Sequence, residues 1–393
     1  MRRFLPLLAL AFVAAAPGRP IGADVLFWTQ AQRDAGFGHM DRHYPTHAVP
    51  HGARPYPLLV GAPLSVAIPW KGSTLSLAQF MRAQHTAGLL VLDHGRIRLE
   101  VYGNGAGRDT RWTSFSVAKS VTSTLVGAAI RDGAISGLDE SVTAIVPELR
   151  GSAYDGVTVR QVLTMTSGVA WNEDYSDPQS DVARLFLEPA APGIDPTIAY
   201  LCRLKRAARP GTIWHYNTGE TGLAGILVTR ATHKSLAAYL SEKIWQPFGM
   251  AQEAYWGVGP GGQEPGGCCL SATLRDYGRF GLFMLGGGRA GDRNILPDDW
   301  VADATRATSQ TDMPGRGYGF QWWTEAGGIY DAIGIFGQAI HIDPKRQLVV
   351  VMTSAWPSAI GPDLIAQRGA LFDAVAVALD HGSARSRAGG PDR

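Results

Sequence analysis

Ser116 and Lys119 are the residues of this sequence whose types and spacing best suit covalent chemistry. Residues 116–131 have helical periodicity, and side chains three positions apart share a helix face, so the lysine ammonium can reach the serine hydroxyl. A serine needs an adjacent base to become a nucleophile, and a partly buried lysine with a lowered pKa supplies one. Of the six lysines, only Lys119 follows a serine at this spacing. The pattern predicts attack by Ser116 from the start of a helix.

Two further segments carry groups that suit the same reaction. Tyr216 ends a turn-forming stretch, and a tyrosine near a lysine ammonium has its phenolate favoured, which makes it a candidate general base. The alternative is a buried aromatic residue with a satisfied hydroxyl. Gly334 permits close backbone approach, so the Ile335 N–H can form half of an oxyanion hole with the Ser116 N–H. The alternative there is a bulge or a turn.

The elements that must position these residues follow from periodicity and turn signals. Residues 87–102 alternate as a hairpin, and strands are expected again late in the chain. The predicted strands there are 318–324, 338–342 and 348–354. The predicted helices are 116–131, 158–165, 178–187, 197–206, 221–231, 235–247, 270–285 and 362–379. The expected fold class is α/β (α+β), an antiparallel sheet built from both chain ends, flanked by helices, with an inserted all-helical lobe.

This pattern divides the chain into four parts. They are a signal peptide (1–23), a sheet domain (24–109 plus 266–381), a helical domain (110–265) and a disordered tail (382–393). The leader assignment rests on two early arginines followed by an apolar run. That run ends at Pro17, too early for a stable membrane span, so a periplasmic or secreted location is expected. Cleavage after Ala16, cleavage after Ala23 and retention of the run as an anchor all stay open.

Composition argues against nucleic-acid binding and against a disulfide framework. The 393 residues carry 36 basic and 34 acidic side chains, a formal net charge of +2, so the electrostatic footprint of a nucleic-acid-binding protein is missing. Three cysteines are too few for a disulfide framework, and the adjacent pair Cys268 and Cys269 is interpreted as buried apolar residues.

The order of the motifs resembles that of a known superfamily. It consists of Ser-x-x-Lys (116–119), Pro-Gly-Thr-x-Trp-x-Tyr (210–216) and Gly-x-x-Gly-Gln (334–338) followed by an Asp-Pro hairpin. The chain is similar to the serine β-lactamases and penicillin-recognising proteins, in the branch of class C β-lactamases, D-aminopeptidases, esterases and 6-aminohexanoate-dimer (nylon-oligomer) hydrolases. The resemblance implies an acyl-enzyme on Ser116, proton transfer by Lys119 and Tyr216, and an oxyanion held by the N–H groups of Ser116 and Ile335.

Two departures from the family pattern bear on the substrate. The family's Tyr-x-Asn is replaced by Tyr216 followed directly by Asn217, and Ala332 begins the triplet that aligns with Lys-Thr-Gly. Without that cation, antibiotic carboxylates should bind poorly. The segment 173–175 is similar to the nylon-oligomer hydrolase branch, in which a tyrosine of this loop lies over the substrate. Tyr175 is therefore the candidate for that role. Trp171, Asn217 and Gly334 are the other candidates for substrate binding.

The same sequence bears on alternative functions. No serine has glycine at both flanking positions of Gly-x-Ser-x-Gly, which sets aside an α/β-hydrolase. His39, His43, His47 and His51 cannot align on one helix because prolines intervene, so no metal is expected. A non-catalytic or penicillin-binding sensor and a true class C β-lactamase stay open. The prediction is an exported serine hydrolase for a small ester or amide, without a cofactor; the sequence does not indicate an oligomeric state.

Overall fold

The computed structural model of the protein describes residues 22–189 and 193–388. The strands in these ranges are β1 (Thr46–Val49), β2 (Leu59–Val60), β3 (Ile68–Trp70), β4 (Ser73–Leu75), β5 (Thr86–Asp93), β6 (Arg96–Tyr102), β7 (Arg111–Thr113), β8 (Ala254–Gly257), β9 (Leu270–Thr273), β10 (Arg289–Ala290), β11 (Arg293–Asn294), β12 (Ser309–Gln310), β13 (Gly317–Tyr318), β14 (Trp323–Thr324), β15 (Tyr330–Gly334), β16 (Gln338–Asp343) and β17 (Leu348–Ser354). The helices are α1 (Gln30–Gly36), α2 (Leu77–Ala83), α3 (Val117–Arg131), α4 (Val142–Ile145), α5 (Val159–Leu163), α6 (Asp181–Leu185), α7 (Pro196–Leu201), α8 (Thr218–Thr232), α9 (Leu236–Leu240), α10 (Gln246–Phe248), α11 (Leu274–Leu285), α12 (Trp300–Ala304) and α13 (Pro362–Ala388).

The larger sheet joins the two ends of the chain. Its nine strands follow the order β12-β13-β14-β15-β16-β17-β5-β6-β2, and neighbours are antiparallel except β2 and β6. Strand β5 pairs with β17, and both are buried almost throughout because layers of the fold cover both faces. The predicted architecture, an antiparallel sheet built from both chain ends and flanked by helices, is confirmed.

A second, four-stranded sheet has the order β1-β8-β9-β7 and is not foreseen in the sequence analysis. Strand β9 occupies the first residues of the segment predicted as helix 270–285, so helix α11 begins at Leu274. An apolar run of this length suits a helix or a strand, and pairing with β7 and β8 decides for a strand. Strand β8 likewise lies within the region predicted to be helical.

The helices of the middle region lie where periodicity places them, with shifted ends. Helices α5, α6, α7 and α8 each begin one residue after a side chain that accepts a backbone N–H bond, which satisfies one of the free donors at a helix start. Helix α8 begins at Thr218 rather than at the predicted residue 221, because Asn217 caps it. The predicted helix 235–247 consists of α9, a π-helical turn (Ser241–Trp245) and α10.

Helix α3, which follows Ser116, is buried on every side from Val117 to Ala129. A helix of this kind lies in a core and not at a surface. Its polar side chains are satisfied internally; the Ser123 hydroxyl, for example, donates to the Phe320 carbonyl at 2.7 Å. The helix packs against α8, so the starts of these two helices are brought together.

Two predictions concern the ends of the chain, the disordered tail and the leader. Helix α13 continues to Ala388, past the predicted end at residue 379, so residues 382–388 are helical and not part of a disordered tail. Alanine, serine and arginine are compatible with a helix, and Gly382 alone does not end it. The predicted leader lies outside the described residues except for its last two positions. No helix in the described ranges is long and apolar enough to cross a membrane.

Strand β15, which leads to Ile335, is anchored by the buried Asp331. The carboxylate lies 2.7 Å from His341 Nδ1 and accepts a hydrogen bond from Arg316 at 3.1 Å. Burial alone raises the pKa of Asp331, but the charges of His341 and Arg316 more than offset this and hold it at about 2. The carboxylate is therefore ionised and paired at neutral pH.

Replacing Asp331 with asparagine should lower the free energy of unfolding by about 3 kcal/mol, because the buried His341 loses the carboxylate with which it is paired. Urea denaturation at neutral pH measures this change. Asp363→Asn is the control, because it removes an exposed pair with Lys71 and should cost less than about 1 kcal/mol. Equal losses in the two variants would contradict the anchoring role.

Candidate active site

Ser116 lies at the turn between β7 and α3. The Ser114 N–H donates to the Leu270 carbonyl of β9 at 2.7 Å, which ties the end of β7 to the second sheet. Phe115 then adopts a left-handed backbone conformation with φ 42°, a conformation that costs a non-glycine residue roughly 1–3 kcal/mol. Ser116 follows as the residue before the first turn of α3 and is 8% exposed. Its side chain makes no capping hydrogen bond to the helix, so the hydroxyl stays available for chemistry.

Lys119 lies one helical turn after Ser116 and is 1% exposed. Its Nζ donates to Thr218 Oγ1 at 2.7 Å and lies 5.1 Å from the centre of the Tyr216 ring. Burial lowers the pKa of Lys119 to about 8, against the opposing charge of Glu173. An amine with this pKa is partly neutral near pH 7 and can accept a proton.

Tyr216 ends the loop before α8, and the Ser116 side chain is near enough to the phenol to lower its pKa in part. Its ring lies 5.8 Å from Trp323 and 6.2 Å from Tyr318. Burial, and then the Glu173 carboxylate, raise the pKa of the Tyr216 phenol above its ordinary value. This direction is the opposite of the predicted one, because desolvation and the nearby anion both disfavour the phenolate. Tyr216 is therefore a neutral phenol at rest.

Glu173, which no sequence motif singles out, links the groups around Lys119. Its Oε2 accepts the Thr218 N–H at 2.9 Å, and its Oε1 accepts the Tyr175 hydroxyl at 2.6 Å. The Thr218 hydroxyl also donates to this carboxylate. A continuous hydrogen-bonded chain therefore runs from Lys119 through Thr218 to Glu173, with Tyr175 at its end.

One feature of the sequence indicates the contact between Lys119 and Thr218. Thr218 stands two residues after Tyr216, at the position that asparagine takes in the family's Tyr-x-Asn. The structure puts the Thr218 hydroxyl, and not the Asn217 amide, in contact with Lys119. Glu173 had no comparable signal beyond its place between Trp171 and Tyr175.

Asn217 and Trp171 support the site and do not line the cavity beside Ser116. Asn217 is fully buried, and its Oδ1 accepts the Glu220 N–H at 3.1 Å, which caps helix α8. Trp171 is 7% exposed, and its indole N–H donates to Glu173. The structure thus gives Asn217 a capping contact and lets Trp171 orient Glu173, whereas Tyr175 does line the cavity.

The end of β15 runs directly beside Ser116. A Cβ atom on Gly334 would lie 2.6 Å from the Ser114 carbonyl oxygen and 3.1 Å from the Ser116 nitrogen, so the approach requires glycine. Ile335 follows at the start of a 3-10 turn (Ile335–Gly337) and lines the same cavity as Ser116. The backbone segments that carry the two N–H groups of the predicted oxyanion hole are therefore neighbours.

Three phenylalanine rings hold these two segments together. Phe115 and Phe336, which adjoin Ser116 and Ile335, both have left-handed backbones, with φ 42° and 60°. Their rings lie 5.1 Å apart, and each also contacts Phe37, at 4.9 and 5.4 Å. Aromatic contacts of this kind contribute about 1 kcal/mol each, which offsets backbone strain at the two positions.

A cavity of about 40 Å³ opens beside Ser116, and none of its lining residues carries a formal charge. Cys268 and Cys269 lie in its wall and form a disulfide with each other, which corrects their interpretation as buried apolar thiols. A disulfide between adjacent cysteines closes no long loop of the chain, so the cysteine spacing did not indicate this bond. Within the described ranges, no three histidine, cysteine or carboxylate side chains are grouped closely enough to hold a metal ion.

Comparison with known proteins shows the family of this chain. The profile of the Beta-lactamase family matches residues 76–371. The chain therefore belongs to the β-lactamase family of serine hydrolases, as its motifs indicate. Over 368 residues it is 31% identical to the 6-aminohexanoate-dimer hydrolase of Paenarthrobacter ureafaciens, covering 88% of this chain and 91% of that protein.

Two further relatives support the same placement. Esterase EstB of Burkholderia gladioli is 30% identical over 151 residues, which cover 36% of this chain and 38% of the esterase. A solved structure from Bacillus anthracis, described as a proposed 6-aminohexanoate-dimer hydrolase, matches with a TM-score of 0.80 at 25% identity. That match covers 88% of this chain and 94% of the other.

Proposed function

We propose that this chain is an exported hydrolase that cleaves an ester or a small amide through an acyl-enzyme on Ser116. The observation that carries the proposal is the buried amine of Lys119, one helical turn from the serine, with its pKa lowered to about 8 by burial. Its hydrogen-bond acceptor is the neutral hydroxyl of Thr218 and not a carboxylate. A lysine in this environment suits proton transfer better than ion pairing.

We infer acylation from the roles proposed for these groups. The neutral amine of Lys119 accepts the Ser116 Oγ proton while Oγ bonds to the carbonyl carbon of the substrate. The N–H groups of Ser116 and Ile335 donate to the oxyanion that forms. Tyr216 gives its phenolic proton to the leaving oxygen or nitrogen as that bond breaks, and the Lys119 ammonium restores the proton to Tyr216. The pair ends as it began, with a neutral amine and a phenol.

Deacylation uses the same pair with water in place of the leaving group. Water gives a proton to Tyr216 as Tyr216 passes its own to Lys119, and the water oxygen bonds to the acyl carbon. The bond to Ser116 Oγ then breaks, and Oγ regains a proton from the pair. The raised pKa of Tyr216 suits this relay, because its phenolate is a strong base whenever it forms.

Two observations favour esters and small amides over β-lactams. Ala332, buried on β15, stands where the resemblance has a cation to hold a substrate carboxylate, and the cavity lining is uncharged. A carboxylate in this cavity would be desolvated without a counter-charge. The relatives also carry the names of a 6-aminohexanoate-dimer hydrolase and an esterase.

Labelling with a fluorophosphonate, followed by peptide mass spectrometry, should place the adduct on Ser116. In parallel, a panel of p-nitrophenyl esters should be turned over, and penicillins should be hydrolysed at least about tenfold more slowly. Labelling at another residue contradicts the mechanism. No labelling and no turnover would favour a non-catalytic sensor, and rapid penicillin hydrolysis would favour a β-lactamase.

Export is the second part of the proposal and rests on residues 1–23, with their basic start and apolar run. It implies a periplasmic or secreted protein. N-terminal sequencing of the protein from an exporting host should find it shortened after Ala16 or Ala23. Recovery of the chain in the cytoplasm, starting at Met1, would contradict export.

A further inference from the structure

One wall of the cavity beside Ser116 comes from the beginning of the described chain. Val25 and Leu26, in the 3-10 helix Ala23–Phe27, line it opposite residues near α6, among them Phe186. Val25 is only 6% exposed. Gly22, which lies within the predicted leader, lines the cavity too and is kept only if cleavage follows Ala16. Val25 and Leu26 stay in the mature chain with either predicted cleavage position.

Several contacts hold this segment in place. Asp24 accepts a hydrogen bond from the Tyr44 hydroxyl at 2.9 Å. The Trp28 ring stacks against Phe37, with centroids 5.9 Å apart. Phe37 is also the ring that packs on both phenylalanines beside Ser116 and the end of β15. The position of the segment is therefore set relative to the reacting atoms.

We propose that Val25 and Leu26 cap an acyl-binding pocket, and that the enzyme prefers esters and amides of short, uncharged acyl groups. This inference rests on the proposed function. The acyl carbon bonds to Ser116 Oγ while its oxygen faces the Ile335 N–H, so its substituent occupies the cavity that both residues line. A volume of about 40 Å³ holds roughly three non-hydrogen atoms, which corresponds to acyl groups from acetyl to butyryl.

The polar groups in the cavity wall also argue for an uncharged acyl group. The hydroxyls of Tyr175 and Thr218 both donate to Glu173, so neither proton is free for a substrate. No lining residue carries a charge. An ammonium or carboxylate on the acyl group would lose its hydration without gaining a partner.

The first test measures acyl-chain length with p-nitrophenyl acetate, butyrate and octanoate. For the wild type, kcat/KM for octanoate should be at least about tenfold below that for butyrate, because the extra carbons do not fit. The double variant Val25→Ala/Leu26→Ala should raise the octanoate-to-butyrate ratio about tenfold. Phe27→Ala is the matched control; its ring is 46% exposed on the same 3-10 helix, and the ratio should not change.

A narrowing variant keeps this test independent of the stability of the double variant. Leu26→Trp should lower kcat/KM for butyrate at least about fivefold more than for acetate, because the larger side chain fills the pocket. The second test compares the p-nitrophenyl esters of propionic acid and glycine, which differ by a methyl group and an ammonium. The propionate ester should be favoured at least about 100-fold after subtraction of the uncatalysed rates.

The outcomes separate this inference from the proposed function. An unchanged octanoate-to-butyrate ratio in the double variant, or a glycine ester hydrolysed as fast as the propionate ester, overturns the pocket while ester turnover and labelling of Ser116 persist. Absence of labelling and of turnover for every ester overturns the proposed function and the pocket with it.

Discussion

Replacing Ser116 with alanine should lower kcat/KM for a p-nitrophenyl ester at least about 10³-fold, because the acyl-enzyme can no longer form. The other hydroxyls of the cavity, on Thr218 and Tyr175, are engaged with Glu173 and are poorly placed to substitute. A residual rate above that in water is expected from the backbone N–H groups, which the substitution leaves intact. Steady-state kinetics of the purified variant measures the loss.

The variant should fold normally, because the Ser116 hydroxyl makes no capping hydrogen bond to α3. Ser123→Ala is the matched control on the same helix. It removes a buried hydrogen bond to the Phe320 carbonyl and should cost about 1 kcal/mol in the free energy of unfolding, with kcat/KM nearly unchanged. If Ser116→Ala kept more than a small share of activity, Ser116 would not be the nucleophile. An equal loss in Ser123→Ala would mean that the loss is not specific to the Ser116 hydroxyl.

Replacing Lys119 with methionine should lower kcat/KM about 10²- to 10⁴-fold, the usual contribution of a general base. Methionine is apolar and has a similar length, so it suits a site that is 1% exposed. The thermal midpoint should not fall, because the substitution also removes the cost of burying an amine. Kinetics and thermal denaturation together distinguish loss of the base from loss of the fold.

The pH profile gives a second measurement on Lys119. Burial lowers the pKa of this amine from 10.5 to about 8, and the neutral form is the base, so wild-type kcat/KM should rise with pH through about 8 and then level off. Below that pH, each unit removes about nine-tenths of the neutral amine. The rise should vanish in Lys119→Met and persist in Lys71→Met, which removes an exposed lysine paired with Asp363. A rise that survives in Lys119→Met would assign the base elsewhere.

The parts of this protein that depend on neighbours in sequence were open to prediction. The spacing of Ser116 and Lys119 puts them on one face of any helix, whatever surrounds it. The β5–β6 hairpin and most helices of the middle region follow from alternation, periodicity and capping residues for the same reason. The ordered motifs were enough to place the chain in the β-lactamase family, and that placement is confirmed.

Contacts between distant segments were not open to prediction. Lys119 meets Thr218 across 99 positions of the chain, and Thr218 meets Glu173 across 45. Segment 270–273 fits a helix or a strand by pattern, and only its pairing with β7 and β8 decides the matter. The spacing of residues along the chain does not predict contacts between distant segments, because each contact depends on how the whole core packs.

The sequence by itself thus predicted Ser116, Lys119 and Tyr216 as the candidate catalytic residues, and it determined the general architecture. The tertiary structure decided which side chains complete the hydrogen-bonded chain around Lys119, which protonation state Tyr216 has at rest, and that Val25 and Leu26 close the cavity. Hydrogen-bond partners, pKa values and cavity walls all depend on burial and on charges brought from remote positions. Those quantities exist only once the chain has folded.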